Sequence, residues 1–432
     1  MGRLGVRCGE LGMDRSWRAV KIGELTGAAG CGLQTGPFGS QLHAHDYDDA
    51  GPVRVVPTSA VGAGRLSVGE TQRISSAKGE SLSRHAVRTG DILFARRGAQ
   101  ATGLSALVRP EQAGWLAGTG VIRLRPDPAV ACSGFLSAVL NGEAAKQWIR
   151  QHAIGATMPN LNEGIIKQIP ILLPPLQEQR GIAAILGALD DKIELNRKMN
   201  RTLEDVAQAI FKSWFIDFDG HDDLVDSEMG PIPRGWVIAG IDRVSENARE
   251  TVDPAKVAPE SPYVGLEHVP RRSAALSDWG SAAEADSTKA QFAAGDILFG
   301  KLRPYFHKVV PVGFAGIAST DILVVRPRTD SWRWFAFGHL FSDEMVAHAT
   351  AASDGTKMPR TRWSDLCRRR IAIPPPEVAS RFNLIVAPLY ARILINVLES
   401  RTLAQLRDTL LPKLISGEIR VPEAEAAVSE AV

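Results

Sequence analysis

The residues best suited to chemistry in this chain lie in short clusters. HAHDYDD, residues 43–49, packs two imidazoles and three carboxylates into seven positions, and these are donor types that can hold a divalent metal. No second ligand cluster accompanies it, so a solvated polar loop is the better reading and no metal site is expected. The glycine-rich stretch 27–39 falls short of G-x-G-x-x-G, because after Gly30 and Gly32 the third position is Thr35. No G-x-x-x-x-G-K-[ST] phosphate loop occurs. Asp219, His221, Asp222 and Asp223 read as an interdomain linker, and no nucleophile stands at a fixed spacing from a base. The proline pairs at 174–175 and 374–375 precede helical patterns, unlike the aromatic-bearing motif that holds a flipped base.

What remains is recognition chemistry. Reading base edges calls for Arg, Lys, Asn, Gln or Ser, with further basic and backbone groups on phosphates. Gly36, Phe38, Gly39, Ser40 and Gln41 offer two small residues for close backbone approach, an aromatic that anchors or stacks, and two hydrogen-bonding side chains. A tight structural turn is the alternative for this loop. Arg96 and Arg97 follow a strand end, and Lys301 and Arg303 are read as their counterparts, with Tyr305 and His307 nearby. Surface solvation is the alternative for these basic pairs. Residues 157–160 and 356–360 precede the two long helices and are expected to pack domain against helix. Arg368, Arg369 and Arg370 form a basic cluster that either holds phosphate or caps a solvated strand edge.

The elements that must position these residues are written twice. GATMPNLN (155–162) matches GTKMPRTR (355–362) at an offset of 200, and the proline pairs and the two Arg-Thr-Leu triplets, 201–203 and 401–403, keep that offset. GDILFARRG (90–98) parallels GDILFGKLRPY (295–305), Arg125-Pro126 parallels Arg326-Pro327, and Trp17 parallels Trp236. Matches in one order establish an internal repeat. Within each half, β-rich runs at 91–95, 121–125, 296–299 and 322–325 lie between Gly and Pro turns, predicting a mixed α/β domain.

A helix follows each domain. Ile182, Ile185, Leu189, Ile193, Asn196, Asn200, Leu203, Ala207 and Ile210 recur at spacings of three and four, and Phe382, Ile385, Leu389, Ile393, Asn396, Leu403 and Leu410 at spacings of three, four and seven. About 36 residues of helix extend roughly 54 Å. Such a stripe needs a partner, and the two helices most simply pack antiparallel with Asn196 and Asn396 fixing register. Docking of each helix on its own domain is the alternative. The expected fold class is α+β, with two pseudo-repeated α/β domains, 13–172 and 220–372, and two helical segments, 173–219 and 373–421, forming an antiparallel coiled coil. Met13 is the expected natural start.

Bulk properties agree with this plan. With 432 residues, 44% of them hydrophobic and 23% charged, the chain has the size and composition of a multidomain globular protein. The four scattered cysteines fit reduced thiols in a cytoplasmic protein. The best candidate membrane span, 382–398, carries Arg392 and Asn396, so no span is expected. Net charge is only +2, but residues 1–170 hold 19 Lys and Arg against 13 Asp and Glu, a net +6. A basic docking face matters more than overall charge.

The sequence also resembles a known family. LPPLQEQRGIAAILGALDDKIELNRKMNRTLEDVAQAIFKSWFIDF (173–218) looks like the central conserved region of type I restriction enzyme specificity subunits. GPFGSQL (36–42) is similar to a loop of their target-recognition domains, DSEMGPIPRGW (226–236) to the junction that opens the second domain, and LPKLISGEIRV (411–421) to their C-terminal ending. The second half departs from the pattern, with IPPPEVASR where the first has LPPLQEQR. The resemblance implies a non-catalytic protein whose two recognition domains read a split double-stranded DNA site, with the helices as ruler and docking platform. It implies two modification subunits and restriction motor–nuclease subunits as partners, which carry S-adenosylmethionine, ATP and Mg. A coiled-coil scaffold that binds proteins without DNA is the alternative.

Overall fold

A computed structural model of the protein describes residues 17–98, 101–155, 159–355 and 357–431. The chain divides into two compact units, Met1–Asp191 with Ala404–Val432, and Lys192–Leu403. Met13, Thr157 and Thr356 lie outside the described residues.

The repeated GDILF motif has a physical explanation that is the same in both units. Gly90 and Gly295 take φ values of +87° and +96°, a conformation that glycine adopts without a steric penalty. The apolar run that follows becomes a fully buried inner strand, Ile92–Ala95 in the first unit and Ile297–Gly300 in the second. Each is the third strand of a four-stranded antiparallel sheet. The first sheet runs Gly32–Thr35, Val121–Arg125, Ile92–Ala95, Ser105–Leu107, and the second Ser245–Ala248, Ile322–Pro327, Ile297–Gly300, Val309–Pro311. The motif's aspartate is buried and needs a counter-charge. Asp91 accepts two hydrogen bonds from Arg125, both 2.7 Å, and Asp296 accepts two from Arg326, both 2.9 Å. The Arg-Pro pairs of the repeat are therefore the other half of this clamp, on the neighbouring strand. The hydrogen bonds to Asp296 push the Arg326 guanidinium pKa up.

Other strands complete each unit. The first has a three-stranded sheet ordered Gln72–Ile74, Val53–Val56, Leu116–Ala117, and the second a five-stranded sheet centred on Gly316–Ala318. The strand after Trp17, Arg18–Lys21, pairs with Pro170–Leu173, and the strand after Trp236, Val237–Ala239, pairs with Ile371–Ile373. Each pair brings the start of its half to the strand that leads into a long helix. The fold is thus mixed helix and sheet, written twice.

The long helices are Leu176–Phe215 and Pro376–Ser416. By length and an apolar stretch of mean hydropathy 1.4 the second could cross a membrane. Its Phe382, Val386, Tyr390 and Ile393 instead share a core with Phe211 and Phe215 of the first helix and with the domain helix Arg333–Phe341. Docking on the domain and pairing of the helices, read as alternatives in the sequence, both occur in this unit. Asn196 and Asn396 are fully buried; Asn196 Nδ2 donates to Glu399 Oε2 at 2.9 Å and to Ser400 Oγ at 3.2 Å, and Asn396 Nδ2 donates to Asn200 Oδ1 at 2.8 Å. Leu189, Ile193, Ile393 and Leu403 are buried as well. The seam of the second helix differs from the expected one. Ile385 is exposed and Leu389 only half-buried, while Val386, Tyr390 and Val397 are buried; on the first helix Leu203 is half-buried. This helix is apolar at both 385 and 386 and at both 389 and 390, so spacing alone does not choose the buried face.

Candidate nucleic-acid interface

In the first unit the Gly36–Gln41 loop and the Arg96–Arg97 strand end meet at one turn, residues 118–120. The Gly36 N–H donates to Val121 O at 2.8 Å, and a Cβ at position 36 would lie 2.1 Å from Gly118 O. The close approach that Gly36 allows is thus to the protein's own backbone. Arg96 N donates to Gly120 O at 2.8 Å, on the far side of the same turn. Phe38 does not anchor the loop: its side chain is 62% exposed, and Leu42 is the buried residue. Gln41 closes the loop, its Oε1 accepting from Phe38 N at 3.2 Å and from Arg84 Nη2 at 3.2 Å. Gly39 and Ser40 are exposed at the tip.

Arg96 and Arg97 divide the work. Arg96 Nε donates to Asn160 Oδ1 at 3.1 Å and to Leu161 O at 3.2 Å, so this guanidinium pins the hairpin that closes at 154 and 160. Arg97 is exposed and bridges Asn160 through its backbone. The second unit repeats the arrangement: Leu302 bridges Arg360, Asp354 bridges Arg360, and Thr361 N donates to Lys301 O at 3.0 Å. Lys301 is therefore the structural counterpart of Arg96, and Leu302, not Arg303, that of Arg97. The described residues of the two hairpins lie against these strand ends, which corrects the expectation that they pack domain on helix. Backbone pairing decides this: Arg303 N donates to Pro359 O at 2.7 Å, and Lys357, Met358 and Arg360 are exposed.

In the second unit a turn follows directly on this strand end. Arg303 and His307 both have left-handed backbone, φ +51° and +53°, and bracket the short turn Pro304–Phe306. Tyr305 at its tip is 49% exposed. His307, expected among the DNA contacts, is buried at 3% exposure; its Nε2 lies 2.8 Å from Phe341 O, and burial pushes its pKa down. It holds the turn and does not face solvent. Two residues that the sequence did not flag join here. Arg271 lies 4.0 Å over the Phe306 ring, and Arg272, with φ +52°, donates its N–H to His307 O at 2.9 Å and pairs with Asp343 at 2.8 Å. Their only signal is the Arg-Arg pair itself; thirty residues of chain separate it from the turn.

The remaining candidates are committed elsewhere. Asp46 of the HAHDYDD loop accepts from His43 N at 2.7 Å and pairs with Lys78 at 3.0 Å; the hydrogen bond from His43 leads in lowering its pKa. No group of three potential metal ligands gathers among the described residues. Arg368 pairs with Asp365 within its own short helix, and Arg370 pairs with Glu228 and donates to Ile238 O at 2.8 Å, bracing the strand edge.

Comparisons with known proteins point one way. The model of the type I restriction modification DNA specificity domain matches residues 79–205. The chain is 27% identical over 313 residues to the type I restriction enzyme MjaIX specificity subunit of Methanocaldococcus jannaschii, covering 67% of this chain and 70% of the relative. It is 25% identical over 408 residues to the HindI specificity subunit of Haemophilus influenzae, covering 78% and 88%. A type I restriction–modification S subunit from M. genitalium shares the fold with a TM-score of 0.58 at 16% identity, over 92% of this chain and 96% of that one. Over two thirds or more of its length the chain is thus similar to type I restriction enzyme specificity subunits, and its fold is that of a solved S subunit.

Proposed function

We propose that this protein supplies DNA sequence specificity to a type I restriction–modification complex, without catalysing a reaction itself. Each half, 13–172 and 220–372, reads one part of a bipartite double-stranded target. The observation that carries the reading is the duplicated patch: in each unit a strand end bearing basic residues meets a hairpin loop, Arg97 bridging Asn160 in one, and Leu302 bridging Arg360 with Lys301 O accepting from Thr361 N in the other. Exposed cations position a protein on phosphates, and the side chains between them read base edges. The helices over 173–219 and 373–421 act as an antiparallel coiled coil that sets the unread spacer and docks two modification subunits. S-adenosylmethionine, ATP and Mg belong to the modification and restriction subunits, and the complex works in the cytoplasm.

Adenine methylation across the host genome, mapped with and without this gene, tests the assignment. A split methylated motif should disappear on deletion. Replacing residues 13–170 with another recognition domain should change one half of that motif and leave the other. An unchanged methylome in cells that express the partner subunits would sink the reading, and a change in both halves would sink the modular form of it.

A further inference from the structure

From the turn in the second unit we infer that Tyr305 is a wedge, an aromatic side chain that enters a base step of the half-site read by this domain. The inference rests on the DNA-reading assignment above. Four non-glycine residues among those described have left-handed backbone, and three of them, Arg272, Arg303 and His307, converge on this one turn. Strain of this kind persists only where the surroundings enforce it. Here they do so from several sides. Pro304 is buried and fixes φ at the first turn position, Phe306 N donates to Arg303 O at 3.0 Å, and His307 N donates to Pro304 O at 2.8 Å. The His307 ring is locked against Phe341, and Arg303 N is held by Pro359 O.

This scaffold has one product, the presentation of Tyr305. Its ring meets Phe306 at 4.8 Å and 65°, and Phe306 is covered by the Arg271 guanidinium at 4.0 Å. The tyrosine is thus supported from below and half exposed above, with few ways to fold back. Arg271, Arg272, Lys357 and Arg360 are exposed on the two segments that brace the turn, Arg272 paired with Asp343 and Arg360 with Asp321. Cations so placed bring a phosphate backbone close, and an aromatic ring held out among them gains by covering its face with a base. Insertion of an apolar wedge unstacks one step and bends the duplex, a cost repaid by the contacts around it.

The test uses the complex with its modification subunits and duplexes carrying the methylated target. 2-Aminopurine is placed in turn at positions of the half-site read by the second domain, the methylated adenine excepted. Wild-type protein should raise fluorescence at one step. Tyr305→Ala should abolish that rise and weaken binding roughly tenfold, the scale of one lost stack, with the salt dependence of affinity unchanged. Tyr305→Phe should keep both the signal and the affinity. Unchanged fluorescence at every position together with unchanged affinity in Tyr305→Ala would overturn the wedge. If wild-type complex does not prefer the target over a scrambled duplex, the DNA-reading assignment falls and the wedge falls with it.

Discussion

The two units share a backbone plan and hold their long helices by different chemistry. In the first, polar contacts add to the burial of Ile182, Leu186, Leu189 and Leu414. Gln179, buried near the helix start, donates to Val130 O and Pro174 O and accepts from Cys132 N at 2.8 Å. Glu178 takes Trp17 Nε1 at 3.0 Å and Arg420 at 2.6 Å, Arg407 pairs with Asp190 at 2.8 Å, and Arg109 with Asp191 at 2.5 Å. Position by position at the offset of 200, the second half has Val378, Ala379, Tyr390 and Ala391 in place of Glu178, Gln179, Asp190 and Asp191. Its helices are held by rings: Phe215 meets Phe335 at 4.9 Å and Phe382 at 4.8 Å, and Tyr390 stacks on Trp334 at 4.0 Å. Beside that stack lies a mostly apolar cavity of about 320 Å³ lined by Leu276, Phe314, Arg333, Trp334, Tyr390 and Leu394 among others. The buried Asp–Arg clamp is kept in both halves because its loss would strand a charge in the sheet. The helix contacts diverged because polar bracing and aromatic packing both satisfy the same backbone.

The contrast predicts its own largest failure. Phe215 is 2% exposed at the centre of the aromatic cluster. Phe215→Ala should cost about 3–5 kcal/mol, as large-to-small changes of buried aromatics do. Hydrogen exchange should show protection lost through residues 192–403 while the strand Ile92–Ala95 keeps its own. Equal loss in both would mean that the units do not have separate cores.

How far the sequence reached follows the same division. Short β-rich apolar runs bounded by glycine located the inner strands, and three–four spacing located both helices, because these signals are local. Arg125 belongs to the repeat, but its role as partner of Asp91 is not visible in the sequence, since strand pairing across 34 residues creates it. The register of the second helix escaped because its apolar surface is wider than one seam. His307 was read as a contact from its neighbours in sequence, whereas the left-handed backbone turns its ring into the core. Arg271 and Arg272 reach the turn only through the tertiary fold. The existence of a basic patch in each half was legible; which side chains face outward was not.

A second way to sharpen the comparison is pH. His339 is fully buried between Phe211 at 4.9 Å and Phe335 at 4.6 Å, and burial, aided by Arg369, pushes its pKa down to about 3. The folded imidazole stays neutral where the unfolded one takes a proton below about 6.5. Its contribution is therefore intact above that pH and is lost as pH falls from 6.5 toward 3, by roughly 1.4 kcal/mol per unit. At pH 4 the second unit should be weaker by roughly 3 kcal/mol on this account. Urea midpoints measured from pH 7 to pH 4 should show this slope, and His339→Leu should flatten it. A slope unaltered by the substitution would assign the acid loss to carboxylates instead.

The smallest effect separates the two chemistries most cleanly. Arg407 and Asp190 are each about one-third exposed, so their pair is screened by solvent and salt. Arg407→Ala should destabilise the first unit by about 0.5–1 kcal/mol at low ionic strength. In 1 M salt, where the screening length falls to about 3 Å, most of that difference should vanish. The Phe215→Ala loss should persist under the same conditions, because burial of a ring carries no charge to screen. A double-mutant cycle of Arg407→Ala with Asp190→Ala, repeated at both salt concentrations, isolates the pair from the packing of the long arginine stem. A coupling energy that survives high salt would show that the first unit, too, is held at this point by packing, and the polar–aromatic contrast would then rest on Glu178, Gln179 and the Arg109–Asp191 pair.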